Sequence, residues 1–114
     1  VFEGYILYAS GKAALGQQAV DFLEQMALTM AADSSLTLHI DVHSDLAQEA
    51  GIAQYICEFR ADLVTAVLMD RGLSFDRLRV RIQGKDAPFN DCLSPEACEE
   101  LGHQENRRVA FYFR

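Results

Sequence analysis

A polar turn and a single arginine stand out against the apolar stretches of the sequence. The turn His43-Ser44-Asp45 closes an alternating apolar segment, and its side chains could cap the next helix, with Gln48 completing a capping box. Arg60 follows fifteen positions after Asp45, on the margin of an apolar helical stripe. Such an arginine needs a carboxylate partner, because an unpaired desolvated charge is costly. That partner is either a side chain of the protein or a ligand carboxylate held by the guanidinium fork.

Two further arginines precede the last apolar segment, in Asn106-Arg107-Arg108. Arginines at such a place commonly form only a solvated strand end. Arg108 has the same strand parity as Ala110 and Tyr112, which predicts that it lies on the polar face of that strand.

The three cysteines divide into a pair and a single residue. Cys92 and Cys98 lie in the loop-like stretch DCLSPEAC, and Cys57 lies alone in a helical pattern. We predict a Cys92–Cys98 disulfide, which would suit an oxidising compartment. Two reduced thiols are one alternative. A zinc site that includes His103 is another, although C-x5-C-x4-H matches no common zinc motif and lacks a fourth ligand, so we expect no metal.

Catalysis has one weak candidate pair, with Cys57 as nucleophile and His43 as base. Cys57 lies beside helical positions expected to be buried, and a buried cysteine usually behaves as an inert small hydrophobic residue. The sequence therefore favours a protein that is not an enzyme, and we expect no cofactor.

Composition and charge narrow the class of protein. The chain has 114 residues, of which 50% are hydrophobic, and this suffices for one compact domain with its own core. Its net charge of −7 argues against nucleic acid as a partner, because phosphates bind basic faces. No apolar run approaches the roughly 18–20 residues of a membrane span.

Period-two alternation of apolar residues predicts strands at 36–42, 78–82 and 109–113, and a short apolar run predicts a first strand at Tyr5–Tyr8. Residues 84–105 form a long connection. Pro95 could open a short helix within it, since proline is tolerated in a first helical turn.

Two long helices follow from apolar residues at helical spacing. The first is predicted over Ala13–Ala32 and the second over Ile52–Arg71, where Gly72 ends it. The predicted buried stripes are Val20, Leu23, Met26, Ala27 and Met30 in the first helix, and Ile56, Phe59, Leu63 and Val67 in the second. The order β-α-β-α-β-loop-β predicts an α+β sandwich, in which both helices pack on one face of a mixed sheet.

Three segments, in this order, resemble motifs of the OmpA-like family. HSD at 43–45 resembles the family's G-H-T-D turn, CEFRADLVTAVL around Arg60 resembles its N-x-x-L-S-x-x-R-A helix start, and NRRVAFYF at 106–113 resembles its final N-R-R-V strand. The segment CEELGHQENRR, with the loop cysteines, is similar to the subgroup on cell-wall-anchored outer-membrane lipoproteins. We therefore expect residues 1–114 to form a single OmpA-like domain, the C-terminal part of a longer protein.

The resemblance implies a domain that binds peptidoglycan without cleaving it. By position, Asp45 would bind the ammonium group and Arg60 the carboxylate of the zwitterionic diaminopimelate in the stem peptide, through charge-assisted hydrogen bonds. It also implies a periplasmic, outer-membrane-associated location, where other envelope proteins are further possible partners. The remaining candidates for the groove are Ser44, Gly11, and Arg107 or Arg108.

A site shared by Asp45 and Arg60 requires a particular backbone path. A helix that began at Asp45 would place Arg60 about 20 Å further along its axis, too far for one small zwitterion. Residues 45–51 must therefore fold back as a loop, with the helix starting near Ile52.

Some positions depart from the family pattern. Ala53 stands where the family has an asparagine, Ala9 stands where it often has an acidic residue, and Ile56-Cys57 replaces leucine-serine. Loss of the asparagine removes one side-chain contact from the site. A second interpretation is therefore a protein-interaction module of an envelope complex with a degenerate peptidoglycan groove.

Overall fold

The secondary structure follows the predicted order of elements. The computed structural model describes residues 3–8, 12–44, 50–84 and 107–114. Most of the predicted 84–105 connection, including Pro95, lies outside these residues. In chain order, the elements are β1 (Glu3–Leu7), α1 (Gln17–Ala32), β2 (Leu38–His43), α2 (Ala50–Asp70), a 3-10 turn (Phe75–Arg77), β3 (Leu78–Gly84) and β4 (Arg108–Phe113).

The four strands form one mixed sheet in the order β1-β4-β2-β3. β4 runs antiparallel to both β1 and β2, with Ile6 opposite Val109 and Ile40 opposite Phe111. β2 and β3 are parallel, with Ile40 opposite Val80, and the crossover between them contains α2. The predicted α+β class and mixed sheet are confirmed.

One face of the sheet forms the core, and both helices pack against it, as predicted. The central strands contribute alternate buried side chains, because successive residues of a strand point to opposite faces. The opposite face, here called the open face, includes His39, Asp41, Arg79, Arg81 and Tyr112, all at least partly exposed. The core includes Leu38, Ile40 and Val42 of β2, Val109, Phe111 and Phe113 of β4, Leu23, Met26 and Met30 of α1, and Val64 and Leu68 of α2.

The start of α1 differs from the prediction. The helix begins at Gln17 rather than Ala13, and Gly16 precedes it in an extended conformation with φ −77° and ψ 173°. Glycine is a poor helix former, and the carbonyl of Lys12 is engaged by a side chain of α2. The predicted stripe of α1 is otherwise confirmed, except that Val20 is only partly buried.

The predicted buried face of α2 was wrong by about one residue. Phe59 is 49% exposed, and the other three predicted positions are only partly buried. Apolar residues occupy so much of this helix's circumference that periodicity alone did not define its inner face. The positions that are buried are Ala53, Cys57, Arg60, Ala61, Val64 and Leu68.

The C-terminal end of α2 agrees with its sequence signal. Gly72 has a φ of +98°, a left-handed conformation that glycine adopts without steric cost. Its N–H donates to the Met69 carbonyl at 3.0 Å, and the next N–H, of Leu73, donates to the Leu68 carbonyl at 3.3 Å. These bonds satisfy two of the last carbonyls of the helix.

Candidate functional site

The ends of the four strands meet at one edge of the sheet. Because β4 runs opposite to the other three, β1, β2 and β3 finish where β4 begins, with Leu7 opposite Arg108 and His43 opposite Gly84. α2 follows β2 after residues 44–49 and therefore also starts near this edge. We call this region, which Arg60 reaches from α2, the strand-end site.

Arg60 has the largest fully buried side chain of the described structure. Its Nε donates to the Lys12 carbonyl at 2.9 Å, and its Nη1 donates to the His43 carbonyl at 3.4 Å. Its guanidinium carbon lies 4.4 Å from the centroid of the Tyr8 ring, a cation–π distance. Arg60 therefore links α2 to the chain that leaves β1 and to the chain that leaves β2.

Tyr8 and Arg107 contact each other reciprocally beside Arg60. The Tyr8 N–H donates to the Arg107 carbonyl at 2.9 Å, and the Arg107 Nε donates to the Tyr8 carbonyl at 2.9 Å. Both side chains are buried. Burial raises the pKa of Tyr8 to about 12, although Arg60 opposes this shift. Tyr8 is therefore a neutral phenol at neutral pH, with its ring against the guanidinium.

Three buried polar atoms lie near the strand ends: the Tyr8 hydroxyl, the Ser44 hydroxyl and, on the open-face side, His43 Nδ1. None of them has a hydrogen-bond partner in the described part of the chain. Most buried polar groups in proteins are paired, so an unpaired one needs an explanation such as a ligand or a water molecule.

His43 is uncharged in this environment. Burial lowers the pKa of His43 to about 4; nearby Arg108 and Arg81 also lower it, and Asp41 opposes them. At neutral pH the imidazole is therefore uncharged, and strand alternation places it with Asp41 and Arg108 on the open-face side of this edge, opposite Arg60.

Arg108 lies at the same edge but on the other face of the sheet. The alternation of β4 places Arg108 with Ala110 and Tyr112 on the open face, where it is 8% exposed. Burial lowers the pKa of Arg108, while Tyr5 and Asp41 raise it. The structure thus brings Arg107, rather than Arg108, beside Tyr8 and Arg60.

Four of the predicted site residues lie outside the described residues: Asp45, Gly11, Cys92 and Cys98. Among the described residues, α2 begins at Ala50, two residues before the predicted start. Arg60 therefore lies in the third turn of the helix.

Sequence reasoning missed Tyr8 and Lys12 as neighbours of Arg60. Tyr8 has the same parity as Ile6, so an aromatic ring with a polar tip at the core side of a strand end was an available signal. Lys12 contributes its backbone carbonyl, which no side-chain pattern reveals.

The described residues offer little for metal or nucleophilic chemistry. Among them, no group of three or more His, Cys, Asp or Glu side chains could hold a metal ion. The candidate nucleophile Cys57 is 0% exposed and the candidate base His43 is 5% exposed. No helix within the described ranges is long and apolar enough to cross a membrane.

The strand order and the one-sided helix layer are those of the OmpA-like fold, and the chain shares this fold with solved structures. No family model and no curated protein sequence matches the chain. The sequence identities to these structures are between 17% and 20%, so the structural similarity establishes the fold alone.

Three solved structures illustrate the similarity. The peptidoglycan-associated lipoprotein of Burkholderia pseudomallei has a TM-score of 0.84 and 17% identity, over 96% of this chain and 89% of that one. The OmpA-like domain of FopA1 from Francisella tularensis has a TM-score of 0.75 and 17% identity, over 97% of this chain and 71% of that one. The cell wall anchor of the T6SS from Pseudomonas aeruginosa has a TM-score of 0.71 and 20% identity, over 96% and 78%.

Proposed function

We propose that this domain binds peptidoglycan non-covalently, without cleaving it, through the diaminopimelate of the stem peptide. It would thereby anchor an outer-membrane or envelope complex to the cell wall, in the periplasm. The observation that carries the proposal is the buried Arg60 guanidinium at the strand-end site, with the Tyr8 and Ser44 hydroxyls close to the same chain ends. The fold it shares with a peptidoglycan-associated lipoprotein and with a cell wall anchor supports it.

Asp45 is within reach of this guanidinium along the chain. Arg60 Nη1 contacts the carbonyl of His43, and Asp45 follows His43 by two residues. Two peptide units span at most about 7 Å, a length that allows the Asp45 side chain to reach the guanidinium. The proposal requires that residues 45–49 do not continue α2 towards Asp45, because a continuous helix from Asp45 would separate the two residues.

The chemistry of diaminopimelate fits an aspartate–arginine pair. Its free end has an ammonium and a carboxylate on one carbon, so each charge meets an opposite charge in a single small site. The two carbonyl contacts of Arg60 orient its guanidinium plane, and we assign the binding of the ligand carboxylate to this guanidinium. Asp45 accepts hydrogen bonds from the ammonium group, and Arg107 lines the groove beside Tyr8.

Ala53 alters the site without removing this pair. It is 2% exposed and belongs to the buried face of α2, so the position where the family has asparagine contributes packing here. Binding then depends on fewer polar side chains than the resemblance implies. Because of this departure, a protein-interaction module with a degenerate peptidoglycan groove is the second candidate function.

Sedimentation with purified sacculi tests the proposal. We expect the wild-type domain to sediment with sacculi, and soluble stem peptide that contains diaminopimelate to release it. A stem peptide with lysine in place of diaminopimelate lacks the zwitterionic end and should not release it. Asp45→Asn should remain in the supernatant, whereas Asp62→Asn, a matched change at an exposed carboxylate of α2, should sediment normally. A folded wild-type domain that stays in the supernatant would favour the interaction module.

A further inference from the structure

The open face of the sheet carries a concentration of arginine that the rest of the chain does not. The whole chain has 17 acidic and 10 basic residues, yet Arg79, Arg81, Arg108 and Arg114 all lie on or beside this face. Asp41 is the only carboxylate among the side chains described there. The negative charge elsewhere on the domain repels an acidic partner, but salt screens this repulsion over distances of about 10 Å. A partner in contact with the open face therefore experiences mainly the positive charge of the nearby arginines.

The centre of the face is an ordered aromatic stack. The rings of His39 and Tyr112 lie 4.9 Å apart with an interplanar angle of 15°. The guanidinium carbon of Arg114 lies 5.0 Å from the centroid of the Tyr112 ring. Stacking and cation–π contacts hold these groups in place before any partner arrives, which lowers the entropy cost of binding.

Two shallow depressions flank Tyr112, each of about 360 Å³. One lies over β2, β3 and β4, and is lined by the His39–Tyr112 stack, Asp41 and three arginines. The other lies over β1 and β4, and includes Tyr5, whose side chain is 50% exposed. Tyr112 and Arg114 line both depressions and form a ridge between them. The face can therefore receive side chains of a partner on either side of this ridge.

The arginines of β3 are accessible and repeat at strand spacing. Arg81 has a side chain 64% exposed and lies 3.6 Å from a carboxylate oxygen of Asp41. Arg79 and Arg81 are two residues apart on one face, a repeat of about 7 Å along the strand. Carboxylates at alternate positions of an extended peptide have the same repeat, and each can accept a forked guanidinium contact.

From this arrangement we infer that the open face is a docking surface for an extended, acidic segment of a partner protein, with carboxylates at alternate positions. These carboxylates all point towards the sheet, where they contact Arg79, Arg81 and Arg114, and the side chains between them point away from it. The surface is separate from the strand-end site, because Arg60, Tyr8 and Arg107 lie on the helix-covered side of the sheet.

Other anionic partners fit the face less well. A bilayer surface is flat, whereas a twisted four-stranded sheet with two depressions contacts a plane over little of its area. A long nucleic acid would experience the net charge of −7 over many phosphates. A second copy of this chain remains a testable occupant, and its involvement would show as self-association.

Titration of the whole domain with a designed peptide tests the inference. The probe is an end-blocked hexapeptide that alternates glutamate with valine, and NMR amide shifts report where it binds. We expect shifts along β2, β3 and β4 at the open-face positions, and no binding of the same peptide with glutamine in place of glutamate. Arg81→Gln should weaken binding about fivefold, as expected for one exposed charge pair.

Arg71→Gln is the matched control, because Arg71 is an exposed arginine on the other side of the domain, with Glu24 and Asp70 as its partners. It should bind the peptide as the wild type does. Equal affinity of Arg81→Gln and Arg71→Gln, or shifts clustered at the strand-end site, would overturn the inference. So would self-association of the wild type that Arg81→Gln abolishes. Sacculus binding should be the same in Arg81→Gln and wild type, so failure of the docking surface and of peptidoglycan binding are distinguishable.

Discussion

The guanidinium of Arg60 lies against the face of the Tyr8 ring, 4.4 Å from its centroid, and both side chains are buried. The ring and the carbonyls of Lys12 and His43 replace part of the hydration that the guanidinium loses on burial. Because the contacts come from the ends of two strands, the same side chain that we assign to ligand binding also holds the loops around the site.

Substitutions of Tyr8 separate its ring from its hydroxyl. Tyr8→Phe keeps the cation–π contact and removes a buried hydroxyl that has no partner within the described residues, so the free energy of unfolding should change by less than about 1 kcal/mol. Tyr8→Leu loses the ring and should lower it by about 2–4 kcal/mol. Urea denaturation measures both, and equal losses would contradict the contact.

Arg60 should be needed for stability as well as for binding. Arg60→Ala removes the donors to two carbonyls and leaves a void, so the free energy of unfolding should fall by about 3–5 kcal/mol. Arg60→Lys keeps the charge and loses the fork, so it should unfold at an intermediate denaturant concentration and bind sacculi at least roughly thirtyfold more weakly. Binding is measured well below the melting temperature of each variant. Undiminished sacculus binding by folded Arg60→Lys would refute the assignment of Arg60 to the ligand.

Stability should fall in mild acid because of His43. Its pKa of about 4 in the folded protein is below the ordinary value of 6.5, so the unfolded chain takes up the proton first as pH falls. The contribution of neutral His43 to the free energy of unfolding is therefore complete above pH 6.5. It is lost as pH falls towards 4, and its total is on the order of 3 kcal/mol. Urea unfolding at pH 7, 5.5 and 4 measures it against His43→Gln, which should show a smaller loss. His39→Gln, on the open face, is the matched control, and an equal effect of both changes would exclude His43 as the cause.

The cysteines should differ in their reactivity. We predict a Cys92–Cys98 disulfide that closes a short loop, so in protein isolated without reductant both cysteines should resist alkylation. Buried Cys57 should react only after unfolding. Mass measurement before and after reduction distinguishes these cases. Two thiols at 92 and 98 that alkylate without reductant would count against both the disulfide and a periplasmic location.

The observed buried face of α2 predicts that alanine substitutions at Leu68 and Phe59 differ in their effect on the free energy of unfolding. Leu68→Ala empties a fully buried position and should cost about 2–5 kcal/mol of unfolding free energy. Phe59→Ala changes a side chain that is 49% exposed and should cost less than about 1.5 kcal/mol, even though it removes more atoms. A larger loss from Phe59→Ala in urea denaturation would restore the face predicted from periodicity.

The local pattern of apolar and polar residues was sufficient to predict most of the helices and strands. Alternation in β2, β3 and β4 predicted these strands within two residues at each end, because a half-buried strand must alternate apolar and polar side chains. The end of α2 at Gly72 was also predictable, since its left-handed backbone favours glycine. The turn at His43 and the helical Arg60 were recognisable as unusual for the same local reason, a polar group where apolar residues surround it.

Tertiary structure alone decided how these elements meet. The order β1-β4-β2-β3 depends on pairings between distant strands, which local periodicity does not encode. The placement of Arg60 in the core depends on which of several apolar stripes of α2 turns inward, and that choice is made by packing against the sheet. The proximity of Tyr8, Arg60 and Arg107 follows from three strand ends and one helix converging at a single edge, so residues about fifty positions apart in sequence become neighbours in space.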